Sequence, residues 1–392
     1  MVLLKAVNFQ GSKIDTIFLI MITGLLLGLL TGFIMHRSDF CIAGMFRDFF
    51  LFKAIFKLRT LMLLVICSMV LFETARQLGL LPMYPFPLLG SPSLANVIGG
   101  FLFGVGMVLA SGCVVGTLYK MGAGSVPSAV AFIGLLTGSA LYAEIHPWWS
   151  DVIANTTFQK GKVTIPQLLN IDSLPLILII AVAAGFYFLK VYRKGGWVRH
   201  LYTEGALQPW KAALLLAIIG LISYIAIGMP LGITACYAKM AGYLESFLLP
   251  QHFQELDFFK TLPLDYRHPL SGVPLVGGPG PGMDAIAIIQ FPLIGGIILG
   301  SACSALLLRE FSIYFRIPLR QYLSAIIGGI IMGLASRMAP ACNIWHLLGG
   351  LPILAIQSIL FLAGLLPGAW LGSVILSRVV VRAELSSGSK QV

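Results

Sequence analysis

The sequence contains few charged residues and fewer acidic ones. Only 10% of its 392 residues are charged, whereas a soluble domain carries about 25%. Acidic residues number 15 against 26 basic ones, and 58% of the chain is hydrophobic. This scarcity of charge excludes a soluble globular protein, and it predicts a protein that crosses a lipid bilayer several times.

The sequence also lacks the motifs typical of zinc sites, disulfide frameworks and nucleotide-binding sites. The six cysteines form no CxxC pair and lie in or beside apolar runs, which argues against a zinc site and a disulfide framework. The sequence has no nucleotide-binding motif, so this chain does not itself consume ATP. The formal net charge of +11 comes from Lys and Arg between hydrophobic runs, a pattern that sets membrane topology rather than nucleic-acid binding. We therefore predict no cofactor, no metal and no nucleic-acid partner.

One apolar stretch occurs twice in the chain. Residues 99–113 are repeated at 328–342, and each copy opens with a glycine pair and closes with a cysteine, Cys113 or Cys342. About 13 apolar residues cover only ~20 Å, less than the ~30 Å hydrocarbon core. The duplication predicts two half-length helices that place their cysteines near the membrane centre, as in transporters with a binding site at the midplane.

Seven other runs are long enough to span the bilayer: 16–35, 60–78, 126–143, 174–192, 212–229, 284–308 and 353–376. With the two duplicated segments they give about nine crossings. Basic clusters at 53–59, 190–211, 309–320 and from 378 onward predict the cytoplasmic side. The N-terminus and the loops 80–94, 144–172 and 248–283 are then outside, and the C-terminus is cytoplasmic.

These patterns predict an all-α integral membrane protein with two inverted-topology repeats, whose re-entrant or broken helices meet at the membrane centre. The first repeat covers 1–173, a connecting transmembrane helix and cytoplasmic loop cover 174–210, and the second repeat covers 211–392. The connecting helix inverts the second half relative to the first. The long loop 250–283 is expected to be ordered by packing or to be functional, because unstructured loops of this length are uncommon.

Two further cysteines lie in polar, interrupted segments. Cys41 lies in 36–48, which is too polar for exposure to lipid and is predicted to be re-entrant. Cys236 stands at the corresponding place in the second half, although this match is weaker. Arg37 is either a topology charge or a partner of Asp39. Cys67 and Cys303, in mid-span and without a motif, are predicted to be packing residues.

The cysteines suggest how a small anion would be bound. A thiol is a weak, soft donor and suits a sulfur anion better than chloride or phosphate. Stronger donors would come from the segments after each cysteine. A short helix that begins at Val114 or Asn343 would aim its N-terminus at the centre, with the cysteine near its cap. His346 is expected to be a hydrogen-bonded structural residue rather than a proton relay.

The chain resembles the YeeE/YedE family of sulfur-transport membrane proteins. The resemblance lies in Ser-Asp-Phe-Cys at 38–41 with the residues up to Asp48, in 99–116 with its Ala-Ser-Gly-Cys, and in 328–343. It implies uptake of thiosulfate or a closely related inorganic sulfur anion across the cytoplasmic (inner) membrane, by transient hydrogen bonds to Cys41, Cys113 and Cys342. The second copy departs from the family pattern, because Pro340-Ala341-Cys342 replaces Gly-Cys.

The candidate substrate pathway comprises Cys41, Cys113, Cys342, Cys236, Arg37, Gly112 and Asn343. Cys41 is expected to receive the anion from outside, and Cys113 and Cys342 to pass it at the midplane. A cytoplasmic sulfurtransferase-type partner would consume the substrate inside. The chain is predicted not to be an enzyme. Two alternatives remain open: a transporter of a selenium compound, and a thiol oxidoreductase that cycles a disulfide between Cys113 and Cys342.

Overall fold

Helices account for 73% of the structure, a computed structural model that describes residues 13–198 and 205–381. Within these ranges nine helical segments are long and apolar enough to cross a membrane, as predicted. The chain is therefore an all-α, multi-pass membrane protein. The first 12 residues of the predicted first repeat, residues 199–204 of the basic loop and the tail from 382 lie outside the described residues.

The α-helices, in chain order, are α1 (Lys13–Ser38), α2 (Ile42–Phe52), α3 (Ile55–Gln77), α4 (Leu94–Leu109), α5 (Val114–Gly122), α6 (Val126–Thr156), α7 (Ile165–Leu169), α8 (Ser173–Arg193), α9 (Pro209–Ile227), α10 (Thr234–Leu248), α11 (Pro250–Glu255), α12 (Ala285–Leu307), α13 (Leu319–Met338) and α14 (Ile356–Ile375). A π-helical turn at Trp345–Gly350 and a 3₁₀ turn at Leu351–Ile353 precede α14.

The long loop before α12 is ordered, as expected. It contains α11, a 3₁₀ turn at Asp257–Lys260, and a hairpin of β1 (Leu264–Arg267) and β2 (Pro274–Gly277), in which Leu264 pairs with Gly277. The fully buried Lys239 ties this loop to two helices, because its Nζ donates to the Gly280 carbonyl at 2.5 Å and to Asp284 Oδ2 at 2.9 Å.

The predicted half-helices are longer than expected. In the first copy, α4 has 16 residues, and in the second copy α13 has 20, which at 1.5 Å per residue is about 30 Å. The prediction that the glycine pairs begin the helices is wrong, since Gly99 and Gly328 lie inside them. The predicted loop at 144–156 is also helical, because α6 continues to Thr156 and packs Trp149 against the Met338 carbonyl at 3.0 Å.

Several glycines lie where helices cross and allow their backbones to approach closely. A Cβ on Gly28 would lie 2.9 Å from the Cα of Gly296, and a Cβ on Gly134 would lie 3.1 Å from the Cα of Gly329. Gly99 likewise abuts Ala339. Helices in a membrane gain little from hydrophobic exclusion, so close backbone packing at small residues supplies much of their attraction. The glycine pairs therefore bring helices together rather than starting them.

The helix contacts pair elements from the two halves of the chain. One group of contacts between the halves pairs α1 with α12 and α3 with α9. In the second group, α4 packs against α14 and α6 against α13, while α4 and α13 also contact each other. These contacts enclose one large core cluster that contains Cys41, Cys113, Cys236 and Cys342.

Candidate functional site

Four helix N-termini, each with a cysteine, meet in the core. Cys41 and Cys113 are the N-cap residues of α2 and α5, and Cys236 lies in the first turn of α10. Cys342 directly precedes a helical segment that begins at Asn343. All four side chains are at most 3% exposed. The first N–H groups of a helix have no intrahelical partner, so each N-terminus brings N–H donors and partial positive charge close to its cysteine.

The turn between α4 and α5 holds Cys113 in place. Ser111 adopts a left-handed conformation with φ of 53°, and its carbonyl accepts a 2.7 Å hydrogen bond from Lys120 Nζ. The Cys113 Sγ then accepts from the Gly116 N–H at 3.3 Å. The prediction of a short helix that begins at Val114 with its cysteine at the cap is therefore confirmed.

Cys41 and Cys113 lie side by side, and their thiols are within hydrogen-bonding reach. Gly116 makes room for both: a Cβ there would lie 3.0 Å from the Cys41 Sγ and 3.3 Å from the Cys113 Sγ. Gly112 belongs to the same turn and is buried. The two thiols thus share one small space that only a residue without a side chain leaves open.

Tyr237 connects this pair of thiols to the other two cysteines. The ring is fully buried, its electrostatic neighbours are Cys236, Cys342 and Cys113, and its hydroxyl has no hydrogen-bond partner among the described residues. The Cys236 N–H donates to Gln290 Oε1 at 2.8 Å, which orients the start of α10. Sequence reasoning missed Tyr237, although it directly follows Cys236.

A cavity of about 400 Å³, here called the Tyr119 cavity, lies on the Cys41 side of the cluster. Its lining includes His36, Asp39, Tyr119 and Lys120 on one wall and residues 312, 314 and 317 on the other. The Tyr119 hydroxyl donates to Asp39 Oδ1 at 3.1 Å. Asp39 is two residues before Cys41 in the chain, but neither Cys41 nor Cys113 is among the residues that line this cavity.

A second cavity of about 420 Å³, here called the Arg337 cavity, lies on the Cys342 side. It is lined by residues 88–90, 232–235, 263, 286 and 290 together with Arg337, Pro340, Ala341 and Trp345. Ala235 directly precedes Cys236, and Ala341 directly precedes Cys342. Ala341 has a φ of 145°, which breaks the chain away from α13 at this point.

Polar atoms without partners surround the cysteines. Asn343 is fully buried and neither atom of its amide group has a hydrogen-bond partner among the described residues. The same holds, within that part of the chain, for Trp345 Nε1 and Arg337 Nε. An unpaired polar group in an apolar interior costs free energy, so a polar ligand beside these groups would lower that cost.

The other predicted residues have varied outcomes. Arg37 does not pair with Asp39 and instead packs against the Phe33 ring, 5.3 Å from its centroid, and beside Gly205. It lines neither cavity. Cys67 is half-buried inside α3 and packs against the core cluster, and Cys303 is exposed on α12. His346 is a structural residue, as expected, since its ring nitrogens contact Ser358 Oγ and the Ala339 carbonyl, both at 3.0 Å.

The predicted order of the cysteines conflicts with the predicted sides of the membrane. The Tyr119 cavity beside Cys41 is lined by the 309–320 loop, which is predicted to be cytoplasmic. The Arg337 cavity beside Cys342 is lined by the 80–94 and 248–283 loops, which are predicted to be outside. With those sides, an anion from outside meets Cys342 and Cys236 before Cys113 and Cys41.

Known proteins and one family model are similar to this chain over the region that contains the clustered cysteines. The model of a family described as sulphur transport matches residues 37–371. A thiosulfate transporter TsuA of Spirochaeta thermophila is 30% identical over 378 residues, which cover 91% of this chain and 99% of the relative. A thiosulfate transporter TsuA of Escherichia coli K12 is 26% identical, with 91% and 94% covered. A probable transporter YedE of Salmonella typhimurium is 25% identical over 48% of this chain and 44% of its own length.

The matched region contains all four clustered cysteines, and the relatives are named as transporters rather than enzymes. This chain belongs to the sulphur transport family, the YeeE/YedE family that its motifs resemble.

Proposed function

We propose that this protein moves thiosulfate through the membrane along a pathway of four cysteines. The observation that carries the proposal is the convergence of Cys41, Cys113, Cys236 and Cys342, each at a helix N-terminus, in one buried cluster between two cavities. Two relatives that cover nearly the whole chain are named thiosulfate transporters.

The chemistry of the cluster suits this anion. Each helix N-terminus carries roughly half a positive charge, so four of them together offset on the order of the two negative charges of thiosulfate. A thiol donates only a weak hydrogen bond, and a weak ligand lets the anion leave for the next site. The proposed path runs from the Arg337 cavity past Cys342 and Cys236, along Tyr237, to Cys113 and Cys41, and out through the Tyr119 cavity.

We also propose that the two halves of the chain are inverted repeats, with bounds near 1–173 and 211–392. Exchanging the halves converts the α1–α12 contact into α9–α3, and the α4–α14 contact into α13–α6, while α4–α13 is kept. This exchange supports a pseudo-two-fold relation. The assignment of the inner membrane, of the cytoplasmic side and of a sulfurtransferase partner remains a prediction from the sequence.

Uptake of radiolabelled thiosulfate by cells that carry this protein as their sole transporter for it tests the pathway. Cys113→Ala and Cys342→Ala are expected to lose uptake, because each removes a thiol from the buried cluster. Cys67→Ala and Cys303→Ala serve as matched controls, since both cysteines lie inside long helices and not at a helix N-terminus, and these variants are expected to keep uptake. Normal uptake by both cluster variants would refute the pathway.

Competition in the uptake assay tests the selenium carrier, and thiol labelling during turnover tests the oxidoreductase. A selenium carrier would show stronger competition by a selenium oxyanion than by unlabelled thiosulfate. An oxidoreductase would accumulate a disulfide during turnover, which thiol labelling followed by mass spectrometry detects. For the proposed transporter we expect free thiols throughout.

A further inference from the structure

Three side chains that can ligate a metal meet away from the cysteine cluster. Glu144 in α6, Glu245 near the end of α10 and His252 in α11 each offer one ligand atom, and these atoms all lie within 4.8 Å of one another. The His252 Nε2 is 2.6 Å from Glu144 Oε1 and 3.6 Å from Glu245 Oε1. The sequence pattern predicts no metal here, because Glu144 and His252 are 108 positions apart and only the fold brings them together.

The three side chains form a site that is short of positive charge. The Glu245 side chain is only 11% exposed, and its Oε2 is buried without a hydrogen-bond partner among the described residues. Within the described ranges, His252 is the only cationic residue in an ion pair with either glutamate, and Glu255 adds a further negative charge beside it. Two neighbouring carboxylates with one buried, unpaired oxygen are costly. A divalent cation between them would offset both charges.

Packing beneath the site holds the three ligand residues in place. Ile145 and Phe253 each directly follow a ligand residue in the chain, and both pack against the same apolar cluster. The N–H of Leu249 donates to the Glu245 carbonyl at 2.8 Å, and the N–H of Phe253 donates to the Leu249 carbonyl at 2.9 Å, which fixes the corner between α10 and α11. Ligands carried by helices are positioned more precisely than ligands on loops, so only side-chain rotations are needed to receive an ion.

The ligand set selects the class of ion. An imidazole together with carboxylates suits Zn²⁺ and similar transition-metal cations. Ligand bonds of about 2.1 Å in tetrahedral geometry place the ligand atoms about 3.4 Å apart. The observed separations of 2.6 Å and 3.6 Å lie on either side of this value. Three protein ligands leave the fourth position to water, which the partly exposed site admits.

We propose that Glu144, Glu245 and His252 form a binding site for one divalent transition-metal cation of the Zn²⁺ type. The cation clamps α6, from the first half of the chain, to α10 and α11 of the second half. None of the three residues lines the Tyr119 cavity or the Arg337 cavity. The site is therefore separate from the thiosulfate pathway, and it stands whether or not that pathway is correct.

Calorimetric titration of the purified full-length protein with zinc chloride tests this site, after removal of any affinity tag and of chelators. We expect one ion per chain at this site in the wild type. Glu245→Gln and His252→Gln each remove one ligand and should weaken the affinity at least tenfold. A ligand that binds only the folded state raises the melting temperature, so excess Zn²⁺ should raise that of the wild type by several degrees and that of these variants much less.

Glu255→Gln is the matched control. It removes a negative charge from an exposed position three residues after His252 without removing a ligand, and it should change the affinity less than threefold. If a variant does not fold, Glu144→Gln tests the same site at a position whose side chain is 44% exposed.

The buried thiols are the competing ligands for this ion, and the variants distinguish them from the proposed site. A zinc titration and a thermal shift that stay at wild-type values in every folded variant of the three ligand residues would assign the ion to the cysteines and overturn the inference. A wild-type protein that binds no Zn²⁺ would overturn it as well. Uptake of thiosulfate by Cys113→Ala decides the cysteine pathway separately, because Cys113 is not a ligand of this site.

Discussion

Gly116→Ala tests whether Cys41 and Cys113 must share one space. The added methyl carbon would lie 3.0 Å from one sulfur and 3.3 Å from the other. Non-bonded heavy atoms prefer about 3.5–4.0 Å, so the methyl group is too close to both thiols by several tenths of an ångström. The helix backbone fixes the Cβ, and the sulfurs must therefore move apart.

The expected loss of transport follows from this overlap. Overpacking a buried site by one methyl group costs about 1–3 kcal/mol. If that cost is added to the barrier for passing the anion between the two thiols, uptake falls about 5- to 160-fold, since each 1.36 kcal/mol is a factor of ten. We expect folding to persist, because the strain is confined to two rotatable side chains.

The assay is initial-rate uptake of labelled thiosulfate, with gel filtration of the solubilised protein as the check on folding. Gly220→Ala is the control, because Gly220 is in α9 with nothing within 4 Å of the added carbon, and alanine is the better helix former. A Gly116→Ala protein that transports at the wild-type rate would show that the contact between the two thiols is irrelevant to transport.

Three other perturbations test the fold around the site. Lys239→Met leaves Asp284 without its cation, and because removing one partner of a buried pair costs about 3 kcal/mol, the apparent melting temperature in detergent should fall by several degrees. His252→Gln removes a 2.6 Å contact with Glu144 that raises the pKa of His252. In the wild type, this contact stabilises the fold fully below the ordinary histidine pKa of about 6.5. That stabilisation is lost as the pH rises through the raised pKa. Gly99→Leu should prevent folding, because a side chain there collides with the backbone of the other half.

Lys239→Met and Gly99→Leu have control variants, and the lysine and histidine predictions have results that would contradict them. Lys260→Met breaks an exposed pair with Asp257 and should barely change the melting temperature; an equal fall in both lysine variants would contradict the buried pair. Gly185→Leu adds a side chain where nothing lies within 4 Å, and it should yield normal amounts of protein. A melting-temperature difference between wild type and His252→Gln that grows with pH would have the wrong sign.

The membrane class, the nine membrane-spanning candidates among the described residues and the chain break at each duplicated cysteine could be predicted from the sequence. These properties depend on local composition: apolar runs of about 20 residues must span a bilayer, and a broken helix with a cysteine at its break is visible as a change in pattern. The N-cap position of Cys113 followed from the same break, whereas the cap position of Cys41 is visible only in the structure.

Distances between residues far apart in the chain were decided by the tertiary structure. Gly116 lies beside Cys41, 75 positions away, and no local pattern relates them. Arg337 looks like any topology charge until the fold places it in the lining of a cavity without aspartate or glutamate, and only the fold shows that Arg37 packs on Phe33. Local composition dictates whether a segment enters the membrane, whereas the packing of glycine-lined helices dictates which polar groups then meet inside it.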